Sequence, residues 1–164
     1  MNNFDSVAVT SRSFSKNRIL RQELLSKYKN VKFNDQGSKL SGKHLVQFLN
    51  GYDKAITALE IIDNDILLKL PKLKVISKYG VGLDMINIDS LKVHGVRLGW
   101  TGGVNRRSVS ELVISSSISL LRNVPIANIE VKDGLWRQHI GRQLSDLTVG
   151  IIGCGNIGKD LVEL

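Results

Sequence analysis

Between residues 7 and 98, five short apolar runs alternate with stretches whose apolar residues recur every three or four positions. Few folds accept that alternation, because each run must pair with the next through a crossover helix. It is the pattern of a parallel sheet with helices packed on its faces. Val7-Ala8-Val9-Thr10 predicts a short buried strand, and Leu20, Leu24 and Tyr28 follow at helical spacing. Val31 and Phe33 mark a second strand. Ser41 is placed to cap a helix whose inner face is Leu45, Phe48 and Leu49, with Gly51 as its stop. Ala55 to Leu59 predicts a third strand, and Asp63 caps a helix carrying Ile66, Leu67 and Leu70 that Pro71 ends. Lys74 to Ser77 is the fourth strand. Asn87 caps a helix carrying Ile88 and Leu91 that stops at Gly95, and Val96-Arg97-Leu98 is the fifth strand. Residues 1–100 thus read as an α/β domain, a flavodoxin-like doubly wound parallel sheet.

Residues 101–146 read as a linking helix and connector. Ser108-Val109-Ser110-Glu111 fits the S-x-x-E capping box at the start of a long helix. Val109, Leu112, Val113, Leu120 and Leu121 form one side, and Ser115 to Ser117 with Ser119 make another side small enough for close approach by more than one neighbour. Pro125 kinks this helix or begins a new segment. Asp133 to Ser145 is polar, contains Gly134 and Gly141, and reads as a connector. Leu147 to Ile152 predicts another buried strand, which runs directly into Gly153-Cys154-Gly155-Asn156-Ile157-Gly158, six residues before Leu164.

Composition removes several classes of function. The chain has 164 residues and one cysteine, Cys154, which leaves no disulfide framework, Cys-ligated zinc site or CxxC redox pair. No metal site is expected. The most apolar stretch, Leu112 to Leu121, is interrupted by four serines and bounded by Glu111 and Arg122, so no membrane span is expected. Met1 to Asp5 lacks a basic start and an apolar run, which makes the cytoplasm the expected location. The formal charge of +8 raises the question of nucleic acid. Lysine and arginine are nevertheless spread along the chain without interleaved aromatics, so no nucleic-acid partner is expected. A solvated surface accounts for the charge; attraction of small anions into one cleft is the sharper reading.

Two motifs carry chemistry. In residues 153–158 a G-x-G-x-x-G follows a predicted strand and opens a helix, the context of a dinucleotide site. There Gly153 permits the tight turn, Gly155 lets backbone approach a pyrophosphate, and Gly158 allows close helix packing. The acid that would hold a ribose, about 20 residues further on, falls beyond residue 164. The second motif is Lys78-Tyr79-Gly80-Val81-Gly82-Leu83-Asp84, at the carboxyl end of the fourth strand. Its glycines either make a sharp turn or free backbone amides to hold a carboxylate.

These motifs, with Gly103-Val104-Asn105 leading into Ser108 to Val113 and with Gly134-x-Trp136, resemble the D-2-hydroxyacid dehydrogenase family over essentially the whole chain. Phosphoglycerate dehydrogenases, glyoxylate reductases and NAD-dependent formate dehydrogenases share this layout. The resemblance implies a flavodoxin-like substrate domain in residues 1–100, and the start of a Rossmann NAD-binding domain in residues 147–164. Substrate would sit at Lys78, Gly80, Val81, Gly82 and Asn105, with the amides of Val81 and Gly82 on its carboxylate. The cofactor, NAD with NADP left open, would lie at Gly153, Gly155, Asn156, Ile157 and Gly158. Lys78 takes the place of a basic residue that faces the anionic end of phosphoglycerate, or is solvated. Asn105 matches an asparagine set against substrate, or starts the following helix. Trp136 is expected to anchor the connector in an apolar pocket, and Cys154 to be a small buried filler.

The family's catalytic arginine, acid and histidine all follow the glycine-rich loop, and no position here matches them. None of His44, His94 and His139 is assigned catalysis, so this chain holds no catalytic residue. The family's C-terminal helix returns to cover the first domain, and without it apolar surface would be exposed. The expectation is therefore the N-terminal part of an NAD-dependent oxidoreductase for small 2-hydroxy or 2-oxo acids, inactive alone and dimeric through residues 103–123. The alternative is a non-catalytic carboxylate-binding or dimerising module left by truncation. A phospho-receiver of the same topology fails, because Thr10-Ser11-Arg12-Ser13 stands where its acidic pair would follow the first strand.

Overall fold

The computed structural model describes residues 6–164. Met1 to Asp5, where no leader is expected, lies outside the described residues. The chain forms two compact units, one ending at Gly102 and the other running from Gly103 to Leu164.

The first unit contains β1 (Ser6–Val9), α1 (Arg12–Lys16), α2 (Arg18–Lys27), β2 (Asn30–Phe33), α3 (Gly42–Leu49), β3 (Lys54–Thr57), α4 (Asn64–Leu67), β4 (Val75–Lys78), α5 (Ile88–Val93) and β5 (Arg97–Gly99). All strand pairings are parallel, in the order β2-β1-β3-β4-β5. This is the flavodoxin-like order predicted from the alternation of apolar runs. Register sorts the side chains between two cores. Ala8, Ala55, Ile76 and Leu98 stand side by side and meet Leu45, Leu49, Ile66, Leu67 and Leu91 from α3, α4 and α5. Val7, Val9 and Ile56 face the other way, against Phe14, Leu20, Leu24 and Tyr28.

Asp63 and Asn87 cap their helices as the sequence predicts, accepting from the backbone N–H of Ile66 (3.0 Å) and Ser90 (2.9 Å). Ser41 occupies the N-cap position of α3 but makes no side-chain cap bond. The short α1 has no apolar periodicity to announce it. It is held at its start by Ser11 Oγ, which accepts from Phe14 N–H.

In the second unit, α6 (Arg106–Leu121) is followed by α7 (Val124–Lys132) and α8 (Asn156–Glu163). The predicted capping box is not formed. Helix α6 begins two residues before Ser108, whose hydroxyl turns back to donate to the Asn105 carbonyl at 2.9 Å. Pro125 sits in the first turn of α7, after Asn123 in the left-handed conformation (φ 57°) has broken the helix. The two helices are bent by 61°. No single helix among the described residues is long and apolar enough to cross a membrane; this bent pair meets the test only by length and composition.

The strand expected over Leu147 to Ile152 is irregular chain, with Val149, Ile151 and Ile152 exposed. A strand exists only through its ladder partners, and none lies beside this segment among the described residues.

Asp53 ties the lower end of the sheet together. Its Oδ2 accepts from the Ser6 N–H (3.1 Å) and hydroxyl (2.8 Å), and its carbonyl accepts from Lys74 N–H at 2.8 Å. One residue thus connects the starts of β1, β3 and β4. The two bonds from Ser6, helped by Lys72 and Lys74, hold the Asp53 carboxyl below its ordinary value of 3.8 despite burial. A depressed carboxyl stabilises the fold above its unfolded pKa, and that contribution is lost as pH falls through the folded value. Acid titration of stability should show this loss below about pH 4. Asp53→Asn should remove that component and lower stability at pH 7 by about 1–2 kcal/mol in denaturant melts.

Candidate functional site

Strand order reverses between β1 and β3, and a crevice opens beyond the carboxyl ends of such strands. Here it measures ≈ 970 Å³ and is bounded by Ser11 to Ser13 after β1, Lys39 and Ser41 after β2, Ala58 to Ile61 after β3, and Tyr79 after β4. Arg12, Lys16 and Lys39 line it, opposed by one acid, Glu60, whose Oε2 is engaged by the Ala58 N–H at 2.7 Å. The wall is fixed by Phe14 and Tyr79, whose rings meet edge to face with centroids 5.3 Å apart. The sequence could have indicated these loops: once the order 2-1-3-4-5 is assumed, the segments after the first and third strands must flank the reversal.

The glycine loop lies directly after β4. Lys78, the last residue of that strand, is half-buried and donates from Nζ to the Ala58 carbonyl. It is neither free in solvent nor unengaged. Gly80 has φ +135°, which side chains rarely tolerate. The Tyr79 N–H closes onto the Thr57 carbonyl (2.7 Å), but the next three amides, of Gly80, Val81 and Gly82, reach no acceptor among the described residues. Three consecutive unpaired donors in an exposed loop are available to an anion such as a carboxylate. The Val81 carbonyl is held by the Trp100 indole, a contact that no sequence pattern announced.

In the second unit, Asn105 stands at the N-cap of α6 with no side-chain cap bond, and its carbonyl receives Val109 N–H and the Ser108 hydroxyl. The backbone of neighbouring Gly103 lies against the side chain of Asn156, where a Cβ would come within 2.9 Å. The turn over 103–105 and the glycine-rich loop are therefore adjacent. Gly153 and Gly155 face open space, whereas a Cβ on Gly158 would meet the Gly153 carbonyl oxygen at 2.6 Å. The amides of Gly155, Asn156 and Ile157 have no acceptor among the described residues and open α8 toward solvent. Such a helix start favours an anion.

Helix α8 is docked on α6 by the Ser110 hydroxyl, which donates to the Ile157 carbonyl (3.3 Å), and by Asp160. Asp160 is only 5% exposed, and its Oδ1 pairs with Arg107 (3.2 Å) and Arg106 (3.5 Å) while Oδ2 has no partner.

Two expectations fail here. Cys154 is exposed, because the segment around it packs on no sheet. Trp136 is 93% exposed rather than pocketed, in a connector where Leu135 and Ile140 are exposed as well. Among the histidines, His94 bonds Asn64 (3.0 Å), His139 bonds Glu130, and His44 is exposed on α3. None lines the crevice.

Comparison with known proteins accounts for this combination. The pattern described as "D-isomer specific 2-hydroxyacid dehydrogenase, catalytic domain" matches residues 7–138, and that family's NAD binding domain matches residues 114–164. The chain belongs to the D-isomer specific 2-hydroxyacid dehydrogenase family. It is 40% identical over 96 residues to the glyoxylate reductase/hydroxypyruvate reductase of Mus musculus, covering 56% of this chain and 29% of that protein. It is 35% identical over 104 residues to the D-3-phosphoglycerate dehydrogenase of Bacillus subtilis (strain 168), covering 62% and 20%. Its fold matches the NAD-dependent formate dehydrogenase from Staphylococcus aureus in complex with NAD, with TM-score 0.74 at 24% identity over 98% of this chain and 52% of that one. The chain thus corresponds to a third or less of these curated relatives and about half of the solved chain. NAD is the cofactor of the matched domain. The unpaired first-turn amides and the open space over Gly153 and Gly155 fit its pyrophosphate.

A methyl group at 158 should force the turn open. Gly158→Ala is expected to cost about 1–3 kcal/mol, read as faster hydrogen exchange of the α8 amides while β1 and β3 stay protected.

Proposed function

We propose that these residues supply the substrate-carboxylate and pyrophosphate contacts of an NAD-dependent oxidoreductase that interconverts a small D-2-hydroxy acid and its 2-oxo acid. The observation that carries this reading is the run of three unpaired amides at Gly80, Val81 and Gly82, beside a crevice lined by Arg12, Lys16 and Lys39. The amides of Val81 and Gly82 hold the carboxylate. Lys78, engaged by the Ala58 carbonyl, adds positive charge near the strand end. The amides of Gly155, Asn156 and Ile157 hold the pyrophosphate, with Gly153 and Gly158 shaping the turn. NAD held by these amides would supply the hydride-transfer chemistry for the acid's C2.

None of the three histidines lines the crevice, and we infer that the chain alone lacks the histidine that would serve as general acid/base in that transfer. The purified chain is expected to show no NADH oxidation with glyoxylate, hydroxypyruvate or pyruvate. Turnover above a buffer control would overturn this reading of the residues.

A second reading, a carboxylate-binding or dimerising module without catalysis, is favoured by the exposed apolar side chains of α6, among them Leu112, Val113, Ile118 and Leu120. Both readings place a homodimer contact in residues 103–123. Light scattering should then give twice 18.2 kDa, falling to 18.2 kDa in Leu120→Arg. Measurable NADH affinity separates the two, being expected for the dehydrogenase and absent for the module.

A further inference from the structure

The Trp100 indole Nε1–H donates to the Val81 carbonyl at 3.0 Å. Trp100 follows β5, the strand paired with β4, so its position beside the loop is set by the sheet. No peptide bond among the described residues is cis. In a trans peptide the carbonyl and the next N–H lie in one plane and point in opposite directions. Holding the Val81 carbonyl toward the indole therefore directs the Gly82 N–H to the opposite side, and that N–H has no acceptor among the described residues. Without this bond the peptide is easily rotated, because Gly82 has no Cβ to resist a flip.

The indole is itself held in place. A Cβ on Gly102 would lie 2.8 Å from Cη2 and 3.0 Å from Cζ2 of the Trp100 ring, so the ring rests on bare backbone there. Trp100 is also 44% exposed, too open for burial of its ring to be its main contribution. The directed hydrogen bond is the feature that its environment preserves.

We propose that Trp100 is a positioning residue for carboxylate binding: its indole N–H fixes the Val81–Gly82 peptide so that the Gly82 amide faces the acid, and Gly102 leaves the ring its space. The proposal rests on the reading of Gly80, Val81 and Gly82 as the carboxylate cradle.

The test is a titration of the full ¹⁵N-labelled chain with glyoxylate, followed by NMR at the amides of residues 80–82. The two tryptophans, Trp100 and Trp136, make the indole signals readily assignable. In the wild-type chain the Gly82 amide proton moves downfield on saturation and the Trp100 indole proton moves with it. Trp100→Phe keeps the ring and removes the donor. It should weaken binding about fivefold and shrink the Gly82 shift, leaving the sheet amides unmoved. Gly102→Ala retains the indole but displaces it, and should weaken binding in the same direction. If Trp100→Phe fails to fold, Gly102→Ala carries the same readout. Wild-type affinity within twofold, with an unchanged Gly82 shift in the variant that folds, overturns the proposal and leaves the cradle standing. No response at residues 80–82 in the wild-type chain overturns the cradle reading and this one together.

Discussion

The parallel register of β1, β3 and β4 is the constraint on which the first unit depends. It is anchored at one end by Asp53, which collects the Ser6 N–H and hydroxyl through its carboxylate and the Lys74 N–H through its carbonyl. With those starts aligned, Ala8, Ala55 and Ile76 fall in one row over the helices α3 to α5. The opposite ends are then aligned too, which is where the loops of the crevice begin. The bonds that fix the register therefore lie at the far end of the strands from the chemistry. The loops at that end are left with backbone groups that no element of the sheet consumes.

Unsatisfied backbone is the common theme of both candidate binding elements. A folded protein pairs nearly all its buried amides, so runs of unpaired donors occur where solvent or a ligand takes them. At Gly80 to Gly82 the glycines allow a path on which three amides miss every acceptor among the described residues. At Gly155 to Ile157 the donors are the ordinary orphans of a helix start. The tight turn that exposes them needs Gly158 against the Gly153 carbonyl. The two elements present similar chemistry, rows of unpaired N–H groups, by different backbone routes.

The strands of the first unit were legible because each is a short apolar run bounded by a stop or a cap that acts locally, as Asp63 and Asn87 do. The misreadings occur where a local signal met a non-local requirement. Ser108 and Glu111 have the right spacing for a capping box, yet α6 starts at Arg106 and the Ser108 hydroxyl turns to the Asn105 carbonyl. Leu147 to Ile152 is apolar enough for a strand, but apolarity cannot supply a ladder partner. Cys154 and Trp136 were expected to be buried from residue type alone, and burial depends on what packs beside them.

Sequence by itself determined the alternation of strands and helices, their caps and stops, and the positions of both glycine loops, because these follow from periodicity and from backbone freedom within a few residues. It also carried the resemblance to the family to which the chain belongs. Only the tertiary structure decided which amides remain unpaired, that Lys78 is engaged by the Ala58 carbonyl, and that Trp100 holds Val81. Those contacts join residues about 20 apart in the chain, on neighbouring strands or their loops. Their geometry is set by strand register, which no local pattern encodes.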